Sequence, residues 1–200
     1  MKLFARSCLA GLSALLLLSQ PAFAARMDAA SEAALAAGEV VLIDHTPTRA
    51  GAVSVEGVAE VNASTEALWR SLLDFNARLK GNSSVKSFRY YKPSTPTEQW
   101  GAWEAAHFGF TVVYFNHYRI DRAAGVLIHE LDPTQANTIE WSRGVYKLGP
   151  SPTNPAALRL SYAVETAFGV AVPSFIKTWL AGQGVRDYLS DLVHRAEASP

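Results

Sequence analysis

The sequence predicts an α+β domain built on an antiparallel meander and closed by one long helix. Three observations carry this. From residue 85 to residue 168 one strand-like segment follows another with no helix between them, which argues against βαβ units. A capped helix precedes that run, and from Pro173 to about Ala196 apolar side chains recur at near-helical spacing. With 200 residues, 49% hydrophobic and 18% charged, the chain suits one domain with an ordinary hydrophobic core.

Residues 25–38 are alanine-rich and end at Gly38, a helix terminator, so they form a short helix or a loose arm. Residues 39–44 (EVVLID) read as a strand and 46–51 as a Pro/Gly loop. Val53, Val55, Ala59 and Val61 alternate with Ser54, Glu56 and Glu60, the period of a half-buried strand. Ser64 can cap the next helix, and Glu66 suits its first turn. Leu68, Trp69, Leu72, Leu73 and Phe75 supply its apolar face, and a second short helical piece runs to about Lys80. The following strands are 85–91, 99–108, 110–121, 126–131, 138–148 and 158–168, separated by Pro-, Gly- and Asp-containing turns. In the last helix Phe175, Trp179, Leu189 and Val193 mark one face. Gly182 and Gly184 either make room there for a neighbour or kink it.

Lys2 and Arg6 precede an apolar run of 10 residues, 9–18 (LAGLSALLLL), where a bilayer span needs about 20. Ala22-Phe23-Ala24 matches the small-x-small pattern, so residues 1–24 are expected to be an export signal cleaved after Ala24, with a periplasmic product. Cleavage would leave 176 of the 200 residues, with 16 basic against 18 acidic side chains. Cys8 is the single cysteine and would leave with the signal, which excludes thiol nucleophiles, zinc–cysteine sites and redox dithiols. The near-neutral balance removes the electrostatic pull toward nucleic acid.

Alternation assigns strand faces. On 110–121 the inward set is taken as Phe110, Val112, Tyr114, Asn116, Tyr118 and Ile120. On 138–148 it is Ile139, Trp141, Arg143 and Val145, and on 158–168 it is Leu158, Leu160, Tyr162, Val164 and Phe168. A dry core would not select an arginine, an asparagine and three tyrosines on facing strands, because each must find a partner. A cavity with apolar walls and a few polar groups accommodates them. The alternative is a bulge that turns Arg143 to solvent and sets the tyrosine hydroxyls at the rim.

His107, His117, Asp121, His129 and Glu130 cluster in sequence, but their spacing fits no metal-ligand pattern, and His117 falls on the outward face. Glu104 and His107 could pair as acid and base only across a bulge, since three residues along a strand reverse the face. Trp100 and Trp103 likewise cannot share a face, so one lines the interior and the other packs elsewhere. No nucleophile elbow, P-loop or dinucleotide fingerprint is present, and nothing calls for a cofactor or metal.

The segments 38–43 (GEVVLI), 61–69 (VNASTEALW), 139–146 (IEWSRGVY) and 172–179 (VPSFIKTW), in that order, resemble the START/polyketide-cyclase-like (SRPBCC) superfamily. Within it the chain is similar to periplasmic relatives of coenzyme Q-binding START-domain proteins, over about residues 38–196. The resemblance implies a helix-grip fold: a curved sheet of about six to seven strands gripping the C-terminal helix, as a single domain over 39–200. It implies a deep cavity for a hydrophobic small molecule or lipid, such as a quinone or polyketide-like compound. Tyr114, Asn116, Tyr118, Trp141, Arg143 and Tyr162 would then wall it from the sheet, and Phe175 and Trp179 from the helix. Arg143 and Asn116 would hold a polar head. A carrier is expected, and transient membrane contact is compatible with that role. Two alternatives stay open: an aromatase/cyclase-type enzyme with Glu104 deep inside, and a docking subunit with no cavity and an exposed patch at Val113 and Phe115.

Overall fold

The computed structural model describes residues 27–81, 84–107, 109–168 and 173–199. The export signal and its cleavage point at Ala24 lie outside these residues. Helix α1 (Ala29–Ala36) is capped by Asp28, whose carboxylate accepts from the Ser31 amide at 2.8 Å. It is followed by Gly38 at φ 83°, a conformation that costs glycine least. Strands β1 (Val41–Asp44) and β2 (Ala52–Val61) form a hairpin. Helix α2 (Thr65–Leu73) starts at Ser64, whose Oγ accepts from the Ala67 amide at 3.1 Å, as its residue type predicts. The single turn α3 (Arg78–Gly81) follows.

The meander then runs β3 (Val85–Tyr90), β4 (Glu98–His107), β5 (Phe110–Asp121), β6 (Val126–Leu131), β7 (Trp141–Pro150) and β8 (Leu158–Ala167). All neighbours pair antiparallel in one sheet of eight strands, ordered β1-β2-β8-β7-β6-β5-β4-β3. That is slightly more than the six to seven expected, because both strands before α2 join the sheet.

The last helix is continuous but not uniform. Helix α4 (Ser174–Trp179) passes through a π-helical turn, Leu180–Gly184, into α5 (Val185–Glu197). Gly182 has no neighbour within 4 Å of where a Cβ would stand, whereas a Cβ on Gly184 would meet the Trp179 ring at 3.2 Å. The second glycine therefore serves local packing within the turn.

α5 lies against the inward face of β2. The contact is close because position 57 is glycine: a Cβ there would overlap Leu189 and sit 2.9 Å from Val185. Trp69, Leu68 and Leu72 of α2 complete this core with Leu189, Leu192 and Ala196 of α5, all fully buried. On the opposite face of the sheet Arg159 ties α1 down, bonding Glu32 at 2.7 and 2.9 Å and Glu60 of β2 at 2.7 Å. One end of the interior is packed this way and the other is not, which leaves the space described next.

Candidate functional site: a cavity between sheet and helix

A cavity of about 570 Å³ lies between the inward face of the sheet and α4–α5. Its walls are mainly apolar or aromatic, including Val55, Val112, Val164, Ile139, Ile176 and Trp179. Strand β5 contributes Tyr114, Asn116 and Tyr118 and β8 contributes Tyr162, on the faces that alternation assigned them.

Strand β7 is different. Ser142 and Tyr146 line the cavity, so Trp141, Arg143 and Val145 face the other side. The Arg143 Nε donates to Glu130 at 2.9 Å, and Trp141 lies beneath the Arg49 guanidinium, 4.5 Å from its ring centre. The expected cavity roles of Trp141 and Arg143 are thus corrected. The cause is a bend: residues 138–140 precede β7, and Ile139 and Ser142 both line the cavity, so counting in twos from Ile139 crosses a phase break. Phe175 is corrected too. It is 53% exposed and outside the lining, because α4 turns Ile176 and Trp179 inward instead.

Glu104 also leaves the site. It pairs with Val113 on the outward face and accepts from Ser87 Oγ at 3.3 Å. His107 ends β4, and its side chain lies outside the described residues. Trp103 is the interior tryptophan, while Trp100 stacks outward on His117 at 3.8 Å. Among the described residues no group of three or more His, Cys, Asp or Glu side chains is placed to hold a metal.

Among the lining residues that the sequence did not place in the cavity are Arg78, His129, Tyr146 and Tyr188. His129 was within reach. The β5–β6 turn pairs Asp121 with Val126, so Tyr118 must pair with His129, on the inward face. Arg78 had no such signal, since a single helical turn carries no usable period.

These residues form a polar chain across the sheet. Trp103 Nε1 donates to the Tyr118 oxygen at 2.7 Å, and Asn116 Nδ2 donates to the same oxygen at 3.2 Å. Asn116 Nδ2 also approaches His129 Nδ1 at 3.5 Å, which leaves the His129 Nε2 proton for the Tyr162 hydroxyl at 3.0 Å. Burial, with the positive charges of Arg78 and Arg143 adding to it, pushes the His129 pKa down to about 3, so the imidazole is neutral. The Tyr146 ring stacks on Tyr162 at 4.1 Å, and its hydroxyl donates to Tyr188 at 3.0 Å. Burial raises the pKa of Tyr114, Tyr118, Tyr146 and Tyr162 in each case, so these phenols are neutral donors and acceptors.

Not all of this polarity is satisfied. Asn116 Oδ1 and Arg78 Nε are shut off from solvent and have no hydrogen-bond partner. Turning the Asn116 amide over would only orphan its nitrogen instead. The arrangement offers an apolar volume for one small molecule together with polar groups that have unused bonding capacity.

No family model matches the chain, and no curated protein matches it. Solved structures do. The STAR-related lipid transfer protein from Xanthomonas axonopodis superposes with a TM-score of 0.59 at 15% identity, over 78% of this chain and 98% of that one. A START superfamily protein from Mycobacterium smegmatis gives 0.57 at 19%, over 72% and 97%. The Zhui aromatase/cyclase from Streptomyces sp. R1128 gives 0.58 at 12%, over 73% and 94%. The chain is similar to these in fold: it has the helix-grip architecture of START and aromatase/cyclase proteins.

Proposed function

We propose that this chain is an exported carrier that holds one hydrophobic small molecule, with a polar end, in the cavity between sheet and C-terminal helix. One observation carries the reading: an apolar volume of about 570 Å³ that also contains buried polar atoms lacking any partner. A protein that used this space only as core would fill it and satisfy those atoms. Burial of about ten ligand methylenes at roughly 0.8 kcal/mol each gives near 8 kcal/mol, a micromolar affinity before ordering costs. Holding such a ligand therefore needs no catalytic group. The fold supports the reading, since similar structures include a lipid transfer protein. Export rests on the apolar run 9–18 and the Ala22-Phe23-Ala24 pattern.

The two alternatives are weaker for specific reasons. The cyclase reading placed Glu104 deep inside, and Glu104 faces outward. The docking reading needed a filled interior and an exposed Phe115. The Tyr91 ring packs on Phe115 edge-on at 5.1 Å, and the Arg89 guanidinium lies over it.

The test is native mass spectrometry of the protein purified from its own host, followed by organic extraction. A one-to-one hydrophobic adduct and an N-terminus at residue 25 are expected. A protein that arrives empty and takes up no hydrophobic probe would overturn the carrier reading.

A further inference from the structure

Arg78 differs from the cations that the fold places in ion pairs. Arg159 is paired with Glu32 and Glu60, Arg143 and Arg119 with Glu130, Arg195 with Asp191, Lys92 with Asp132, and Arg122 with Glu66. Arg78 makes no ion pair among the described residues, although it is a cavity-lining residue. Its guanidinium lies over three rings, 4.7 Å from Tyr188, 5.0 Å from Phe75 and 5.4 Å from Trp103. One nitrogen donates to the Leu72 carbonyl at 3.3 Å, and Nε has no acceptor. Desolvation opposes its charge, the net direction of its pKa is nonetheless upward, and a guanidinium stays protonated at neutral pH. The cavity thus contains a permanent positive charge that no carboxylate among the described residues pairs with directly.

The neighbouring hydroxyls point the same way. The Tyr118 oxygen accepts from both Trp103 and Asn116, so its own proton is unspent in that network. A guanidinium beside an unspent phenol is a donor-rich end. Two carboxylates also reach the lining, both on α5, and both are engaged. Asp191 takes Arg195 Nε at 2.9 Å, and exposed Asp187 takes the Gln183 amide.

We propose that the ligand is an anionic amphiphile, a carboxylate or a group of like charge on an apolar body, whose head pairs with Arg78 beside Tyr118. This rests on the reading of the cavity as a ligand site, and it narrows that reading. Neutral quinones and plain hydrocarbons would leave the guanidinium unpaired in a low-dielectric site, whereas an anion restores the missing partner.

The probes are dodecanoate, dodecanol and dodecylamine, below their micelle concentrations. Binding is followed at neutral pH by calorimetry and by the fluorescence of Trp103 and Trp179. Dodecanoate is expected to bind about 10- to 100-fold more tightly than dodecanol, the ratio a charge-assisted hydrogen bond provides, and dodecylamine least. Arg78→Met should erase the preference for dodecanoate while dodecanol is retained, and Arg78→Lys should keep part of it. The comparison among probes uses the unaltered protein, so the proposal stays testable if Arg78→Met does not fold. Dodecanol binding as tightly as dodecanoate would overturn the anion and leave the carrier reading intact. Failure of all three probes would overturn both.

Discussion

The His129 Nε2 atom lies 3.0 Å from the Tyr162 hydroxyl, in space that exists because position 144 is glycine. Gly144 is the β7 partner of His129 in the sheet, and a Cβ on it would overlap the imidazole. Gly144→Ala is therefore expected to push the ring off Tyr162 and to destabilise the fold by about 1–3 kcal/mol, the usual cost of overpacking. Urea denaturation of the two proteins measures it. Equal midpoints would mean that the ring moves aside at no cost and that the contact is incidental.

Two buried groups make stability depend on pH in different windows. His129 is neutral in the fold down to about 3, against its ordinary 6.5. The unfolded chain therefore binds the extra proton first. Stability falls as pH drops from 6.5 toward about 3, by up to about 1.4 kcal/mol per pH unit. Asp132 is the reverse case. Burial acts to raise its pKa, but Lys92, Thr134 and Tyr91 outweigh this and hold it well below the ordinary 3.8. Its contribution is present above 3.8 and is lost as pH falls below it. His129→Gln should flatten the stability profile between pH 6.5 and 4 and leave the acid limb alone; an unchanged upper slope would refute the assignment.

Arg143→Leu separates the structural reading from the sequence-based one. The side chain is on the outward face, 32% exposed, and its partner Glu130 retains Arg119 at 2.8 Å. The expected cost is within about 1 kcal/mol, as for other exposed pairs. Uptake of dodecanoate should be unchanged. A loss of uptake in this variant would show that β7 presents its other face in solution.

Arg159→Leu should be far more damaging than Glu32→Ala. The first leaves Glu60, 7% exposed at its side chain, without its cationic partner, at about 3–5 kcal/mol. The second removes a half-buried helix carboxylate and leaves the Arg159–Glu60 pair in place, at about 1 kcal/mol. Denaturant titration of both variants gives the comparison, and equal losses would mean that the network is anchored through α1 rather than β2.

Much of this molecule is legible along the chain because its causes are local. Turn residues separate the strands, Ser64 caps its helix, and strict alternation places Tyr114, Asn116 and Tyr118 of β5 and Tyr162 of β8 on the inward face. Register transmits that information across short hairpins. The His107–Phe110 pair at the β4–β5 turn sends Trp103 inward with Tyr114, and the β5–β6 turn sends His129 inward with Tyr118. These follow from period two and a counted turn.

Tertiary structure decided what no local period can carry. The bend at residues 138–140 resets the phase of β7, so that Ser142 and Tyr146 enter the cavity and Arg143 leaves it. Arg78 sits on one helical turn whose direction is set by Phe75 packing among Phe88, Trp103 and Tyr118, rings from three different strands. The cavity itself is a place where distant elements stop short of one another. Strand and helix propensities act over a few residues, whereas an unfilled volume and an unpaired charge are properties of everything around them.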